Sequence, residues 1–326
     1  MPRPDPAAIA GGLGELLGHR VEITGAASVG AQRSTLFIDI HEAATPTPAV
    51  AQISTSVINA APVTQEAAIL RAAHTAGVPV PLVLAATESL PNVGAPAMVA
   101  QRIEGRTIPR HILRALADGL DGEDLARQCG VAMARLHALP AAEIPAGLES
   151  IPGPVFLERH AELLELLPSP RPAIRYGLRW LADHPIDDPT PTLVHGDFRN
   201  GNIIVDDDGL AAVLDWELCQ RSDPMQDLAW ICTRTWRFGN DHLPVGGFGS
   251  FASLRQGYES AGGTLRLDAL HWWMVARAVW WAIGLANQGV AFTSGLTDSI
   301  VLAASGRRVP ELEYDLLRLI SDGPEF

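Results

Sequence analysis

The residues best suited to chemistry lie between Leu193 and Glu217, in the run LVHGDFRNGNIIVDDDGLAAVLDWE. Asp197 is followed five residues later by Asn202, and a second carboxylate, Asp215, comes after an Asp-Gly hairpin signal at Asp206–Gly209. A carboxylate and an amide oxygen are hard donors of the kind Mg²⁺ takes, and the other carboxylate remains to orient a hydroxyl and accept its proton. The protein-kinase catalytic loop divides its labour this way, with Asp as base and Asn and a later Asp on metal. Thr192–Val194, Asn202–Val205 and Leu210–Leu214 read as short strands, so Asp197, Asn202 and Asp215 are expected at the ends of neighbouring strands, converging on one point. Capping of local backbone explains any one such residue, whereas the set at this spacing reads as a site.

The form H-G-D-x-x-x-x-N, the later Leu-Asp-Trp-Glu and the block Asp223-Pro224-x-x-Asp227-Leu228-Ala229-Trp230 resemble the aminoglycoside phosphotransferase and choline kinase family. The likeness is closest to the bacterial branch whose kinase-like domains also occur fused to acyl-CoA dehydrogenases. It implies a bilobal α+β, protein-kinase-like fold, with a small antiparallel β-sheet N-lobe over 1–103 and a larger, mainly helical C-lobe over 104–326. It also implies transfer of the γ-phosphate of ATP, or GTP, to a hydroxyl of a small-molecule acceptor. Asp197 would then be the base, Asn202 and Asp215 the Mg²⁺ ligands, and His195 a brace for the loop. Arg199 stands where many protein kinases carry Lys against the γ-phosphate, and its planar fork suits phosphate. Two other readings stay open: a catalytically silent nucleotide-binding pseudokinase, and an antibiotic phosphotransferase of the aminoglycoside type.

The elements that must position these groups begin with a helical pattern over Ala7–Leu17 and strands over Val21–Ile23, Thr35–Ile40 and Ala49–Ser54. Gly25 to Gly30 reads as the turn between the first two strands. Its place matches the kinase loop that covers ATP phosphates, which would put Gly25, Ser28 and Gly30 beside the nucleotide; an ordinary hairpin has the same signature. Kinases put Lys on the next strand to hold the α- and β-phosphates and to pair with a Glu on the following helix, and the related phosphotransferases put Lys or Arg there. Here Gln52 occupies that position, while Glu66 lies in register on a helix expected over Thr64–Ala76. All 24 basic residues are Arg, so no Lys exists to substitute, and Arg33 is the nearest replacement cation. Pro96–Ile103 resembles the family's hinge strand, whose backbone around Ala100, Gln101 and Arg102 would meet adenine.

Further on, Glu123–Leu139 has helical periodicity and ends in His137, read as a structural helix-end residue. Two helical patterns lie within 152–186, and others cover Asp227–Phe238, Phe248–Ala261, Leu267–Asn287 and Glu311–Ile320. Asp227 either caps its helix or braces the catalytic loop. Trp272, Trp273, Trp280 and Trp281 recur on one helix face, serving either the core or an acceptor pocket. Antibiotic modification predicts an acidic acceptor cleft, and this Trp-rich, weakly charged segment suits an apolar or acyl-type acceptor better. The length of 326 residues fits two lobes, and a net charge of −13 with pI about 5.2 argues against a nucleic-acid or anionic-membrane partner. His271, Arg277, Asn287 and Gln288 interrupt or bound the most apolar stretch, which falls short of a membrane span. The N-terminus lacks a secretory pattern, and three cysteines without paired or metal-ligand spacing suit a reducing cytoplasm.

Overall fold

The computed structural model describes residues 5–29, 33–54, 62–187 and 189–326. Helix α1 (Pro6–Leu17) leads into strands β1 (Arg20–Val29), β2 (Arg33–His41) and β3 (Thr47–Ser54), followed by helix α2 (Val63–Thr75) and strands β4 (Val83–Thr87) and β5 (Ala97–Gln101). These strands form one antiparallel sheet in the order β1-β2-β3-β5-β4. Along β3, Ala49, Ala51 and Ile53 are buried in alternation, as a strand with one face on a core requires. They join Leu13 of α1, Ile38, Leu90 and Val99 in a small core of their own. The opposite face of the sheet carries Gln52 and is the side from which the site is built.

One sequence expectation changes here. The turn expected at Gly25–Gly30 is largely strand, because β1 runs on through Gly25 and Ser28 to Val29. Two register shifts, at Ile23/Gly25 and Ala26/Ser28, absorb the extra residues as bulges, so pairing with β2 survives to Val29↔Ser34. Gly30 lies outside the described residues.

The rest is mainly helical: α3 (Pro109–Ala117), α4 (Gly122–His137), α5 (Gly153–Glu165) and α6 (Pro172–Asp183), then α7 (Met225–Cys232), α8 (Phe251–Ser260), α9 (Leu267–Thr293), α10 (Ile300–Gly306) and α11 (Val309–Ser321). Between α6 and α7 sit short strands β6 (Thr192–Val194), β7 (Ile203–Val205), β8 (Leu210–Val213) and β9 (Gln220–Ser222). Strand β4 and helices α3 and α10 are absent from the sequence reading, although α3 buries Ile112 and Ala115 on one face. The helix expected at Asp227–Phe238 starts earlier, at Met225, and ends at Cys232; a 3₁₀ turn follows at Arg234–Arg237. Met225 can start it because Asp223 accepts its amide at 2.9 Å. The segment joining sheet and helices passes close over β7. A Cβ on Gly105 (φ 143°) would stand 2.6 Å from Ile204 Cγ2 and 2.9 Å from the Val205 carbonyl oxygen. Among the described residues, no helix is long and apolar enough to cross a membrane.

Candidate active site

The catalytic-loop candidates are assembled by two separate ribbons. Strand β6 pairs with β9, and β7 with β8, so the strand that leads into His195–Asp197 is not the direct neighbour of the β7–β8 hairpin as the sequence reading expected. The hairpin itself turns at Asp206–Gly209, where the Asp206 amide donates to the Gly209 carbonyl at 3.0 Å. Convergence is achieved by side chains and one backbone bond instead. The Leu214 amide donates to the Asn202 carbonyl at 2.8 Å, which brings Asn202 beside Asp215. Asn202 Nδ2 donates to Asp197 Oδ2 at 2.6 Å and to the Asp197 carbonyl at 3.1 Å.

His195 ties the same groups from behind. Its Nδ1 accepts the Asp197 amide at 3.1 Å, so the proton sits on Nε2, which donates to the Leu214 carbonyl at 3.0 Å. Burial lowers its pKa, keeping the ring neutral and both nitrogens committed to the loop. Asp227 completes the brace. Its carboxylate accepts the amides of His195 and Gly196 at 2.7 and 2.9 Å and a bond from His137 Nε2 at 3.1 Å. Burial alone would push Asp227 up, but these bonds outweigh it and leave it below the usual carboxylate range. Of the two roles open from sequence, bracing the loop is the one these contacts make. His137 also bonds Tyr258 Oη at 3.1 Å, so it links α4, α8 and α7. Gly196 (φ 79°) has no room for a Cβ, which would lie 2.3 Å from the Leu218 carbonyl.

Asp197 is nearly buried, and both its oxygens are engaged. Oδ1 accepts from Trp230 Nε1 at 2.6 Å and Arg199 Nε at 3.0 Å, while Oδ2 takes Asn202. Arg199 lies over the Trp236 ring at 4.3 Å, which holds its guanidinium beside the carboxylate. Trp230 has no role in the sequence reading beyond its place in the Asp-Leu-Ala-Trp block. It stands one helical turn after Asp227, so α7 presents both to the loop, and that spacing is the signal that could have found it.

Asp215 adopts a left-handed conformation (φ 66°, ψ 68°), uncommon for a residue with a Cβ and the kind of strain found at functional positions. It is exposed to solvent, with enough protein around it to desolvate its carboxylate in part. Burial and the Asp197 charge raise its pKa; Glu217 is raised likewise by burial and Asp215. Carboxylates held in mutual repulsion are what a divalent cation relieves, and the recorded bonds of the Asn202 side chain both use Nδ2, leaving its carbonyl oxygen for such an ion. Among the described residues no cluster of three or more His, Cys, Asp or Glu could hold a metal by itself. An ion held by Asn202 and Asp215 would take its remaining ligands from phosphate and water.

Across the cleft, Arg33 on β2 meets Glu66 on α2. Nη1 donates to Oε1 at 3.0 Å, Nη2 lies 2.7 Å from Oε2, and Glu217 is 3.6 Å from the same nitrogen. The register explains the reach. Gln52 pairs with Thr35 and Ser54 with Arg33, so Arg33 and Gln52 are diagonal neighbours on one sheet face. Gln52 Oε1 is buried without a partner among the described residues. Gln101 spends its amide on the Leu82 carbonyl (2.8 Å), and Arg102 lies over the Phe37 ring at 4.4 Å and pairs with Glu104 at 2.8 Å. Gly25 and Ser28 lie in β1, opposite Phe37 and Thr35.

The Trp stripe divides between two places. Trp272 and Trp273 are core, edge-on to Phe156 at 6.2 and 5.5 Å. Trp280 and Trp281 are half-buried and gather around Trp230, at 5.2 and 6.0 Å, with Trp236 5.7 Å from Trp281. A small antiparallel β-sheet lobe followed by a larger, mainly helical lobe is the bilobal α+β fold of the kinase-like phosphotransferases.

Comparison with known proteins agrees. The model of the phosphotransferase enzyme family (APH) matches residues 28–264, and the chain belongs to that family, whose members transfer phosphate to hydroxyl groups. Acyl-CoA dehydrogenase family member 11 of Gallus gallus is 30% identical over 182 residues, 53% of this chain and 23% of the relative. Family member 10 of Mus musculus is 43% identical over 63 residues, 19% of this chain and 6% of the relative. The chain thus spans less than a quarter of the curated relatives it matches. Among solved structures, a Ralstonia eutropha JMP134 protein named as a candidate aminoglycoside phosphotransferase has a TM-score of 0.74 at 20% identity, covering 99% of this chain and 100% of its own. An amicoumacin kinase in complex with AMP-PNP, Ca²⁺ and its substrate has a TM-score of 0.65 at 16% identity, covering 96% and 94%. At these identities the structures show a shared fold.

Proposed function

We propose that this protein transfers the γ-phosphate of ATP, or of GTP as alternative donor, to the hydroxyl of a small molecule inside the cell. The observation that carries an active rather than a silent site is the Arg33–Glu66 pair. Arg33, anchored on the helix carboxylate Glu66, would serve the α- and β-phosphates where the strand lysine is replaced by Gln52. Asn202 and Asp215 would hold Mg²⁺, which when bound supplies charge neutralisation at the phosphate oxygens. Asp197 orients the acceptor hydroxyl. As that oxygen attacks the γ-phosphorus, the bond to the β,γ-bridging oxygen breaks, the nucleoside diphosphate leaves and the hydroxyl proton passes to Asp197. Arg199, which bonds Asp197 in this structure, would serve the transferring phosphoryl group by exchanging that carboxylate for it.

The surroundings of Asp197 support an acceptor with an apolar body over a polycationic one. Apart from the loop-bracing Asp227, the side chains around it on α7 and α9 are indoles and the buried Arg277, where an aminoglycoside calls for carboxylates. Release of phosphate from Mg²⁺–ATP, first to water and then to a panel of alcohols, tests the reading. Asp197→Asn should lose about 10²- to 10⁴-fold in turnover while still binding nucleotide. Equal turnover by wild type and variant would remove Asp197 from the role.

A further inference from the structure

Arg277, near the middle of α9, is a buried cation at 3% exposure; among the described residues no carboxylate lies within ion-pair distance of it, and the charges of Asp197 and Asp227 act on it from further off. Its guanidinium lies between the indoles of Trp230 (4.3 Å) and Trp280 (3.8 Å). Its one recorded hydrogen bond runs from Nη2 to the Gly196 carbonyl at 2.7 Å, and its Nε is buried without a partner. Burial lowers its pKa to about 10, so it stays charged at neutral pH. Burying an unpaired cation is unfavourable, and an apolar chain of similar volume would fill the space at less expense. The placement therefore calls for a reason other than packing.

The contacts supply one. The Gly196 carbonyl belongs to the peptide that leads into Asp197, and Gly196 is gripped on its other side by Asp227. Trp230, stacked on Arg277, donates to Asp197 Oδ1. Arg277 thus fixes Asp197 along two routes, one through its backbone and one through its hydrogen-bonding ring. It does so from outside the catalytic loop, on a helix 80 residues later in the chain. We propose that Arg277 is a positioning residue for Asp197, holding the carboxylate in line with the transferring phosphoryl group. This rests on the reading of Asp197 as the base.

The test uses the full chain and Mg²⁺–ATP, with water as acceptor, in wild type, Arg277→Met, Arg277→Lys and Trp230→Phe. Misplacing the base predicts that Arg277→Met loses about 10²-fold in kcat while KM for ATP stays within about twofold. Arg277→Lys, which keeps the charge and a donor for Gly196, recovers part of the loss. In a ¹⁵N indole spectrum, with the Trp230 signal assigned from Trp230→Phe, that signal shifts and loses exchange protection in Arg277→Met while the Trp272 and Trp273 signals stay. Wild-type kcat together with an unmoved Trp230 signal in Arg277→Met overturns the proposal, as does equal loss in the Lys and Met variants. Should Arg277→Met fail to fold, Arg277→Lys and Trp230→Phe decide by the kcat and KM split. If Asp197→Asn hydrolyses ATP as fast as wild type, the base assignment fails separately, and the indole signal still reports whether Arg277 holds the loop.

Discussion

At the residue scale, the proposed chemistry rests on side chains whose types leave little choice. Asp197, Asn202 and Asp215 stand out in the sequence as candidates because a hard-oxygen metal site and a base would need such groups, and they lie within one short stretch. Arg33 is harder to see. Sequence offers it only as the nearest cation; that it reaches Glu66 follows from a β2–β3 register fixed by pairing across the sheet. Gln52 is the counterpart, since its position suggests phosphate contact and its carbonyl oxygen is buried without a partner. Gln52→Leu, which removes that unsatisfied acceptor, should stabilise the chain by about 1 kcal/mol and leave ATP affinity unchanged. A loss of affinity in thermal and binding measurements would return Gln52 to the phosphate site.

At the element scale, the catalytic-loop candidates are held from α4, α7 and α9 as well as from Leu214 just after β8. Asp227 is the hub of this bracing, with two loop amides and His137 on one carboxylate. A helix-capping Asp and a loop-bracing Asp look alike in sequence, because the partners are 31 and 32 residues away and meet only in the folded chain. The same distance hides Trp230 and Arg277, the latter reading as an interruption of an apolar helix. Asp227→Ala leaves the amides of His195 and Gly196 buried without an acceptor, so a loss of about 3 kcal/mol in unfolding free energy is expected, with kcat falling as well. An unchanged denaturation midpoint would contradict the bracing role. The sign of the pH effect follows from the lowered pKa of Asp227: its stabilisation is complete above the ordinary carboxylate range and fades as pH falls through its own lower pKa.

At the scale of the whole molecule, the length allows two lobes and the resemblance carried by the catalytic block implies their kinase-like arrangement, whereas β4 and α10 are too short to read and α3 is a short amphipathic helix that the reading does not include. Acid sensitivity is a property of the whole chain. His160 on α5, stacked on Phe156 at 3.9 Å, has its pKa lowered to about 4 by burial. A histidine whose folded pKa is depressed binds its proton more readily unfolded, so stability is full above about pH 6.5 and falls as pH drops from there toward 4. Denaturant midpoints between pH 7 and 4 should fall more steeply in wild type than in His160→Gln; parallel curves would exclude His160. Ligand binding acts on the same scale, because a nucleotide that binds only the folded chain raises its thermal midpoint by mass action. The direct measurement is that midpoint with and without Mg²⁺–ATP for wild type beside Arg33→Met. Nucleotide at about 100 times its Kd should stabilise wild type by about 2.7 kcal/mol, a rise of a few degrees, and most of that rise should vanish in Arg33→Met. An equal rise in both would show that Arg33 does not serve the phosphates, and no rise in wild type would contradict the proposed nucleotide-dependent activity.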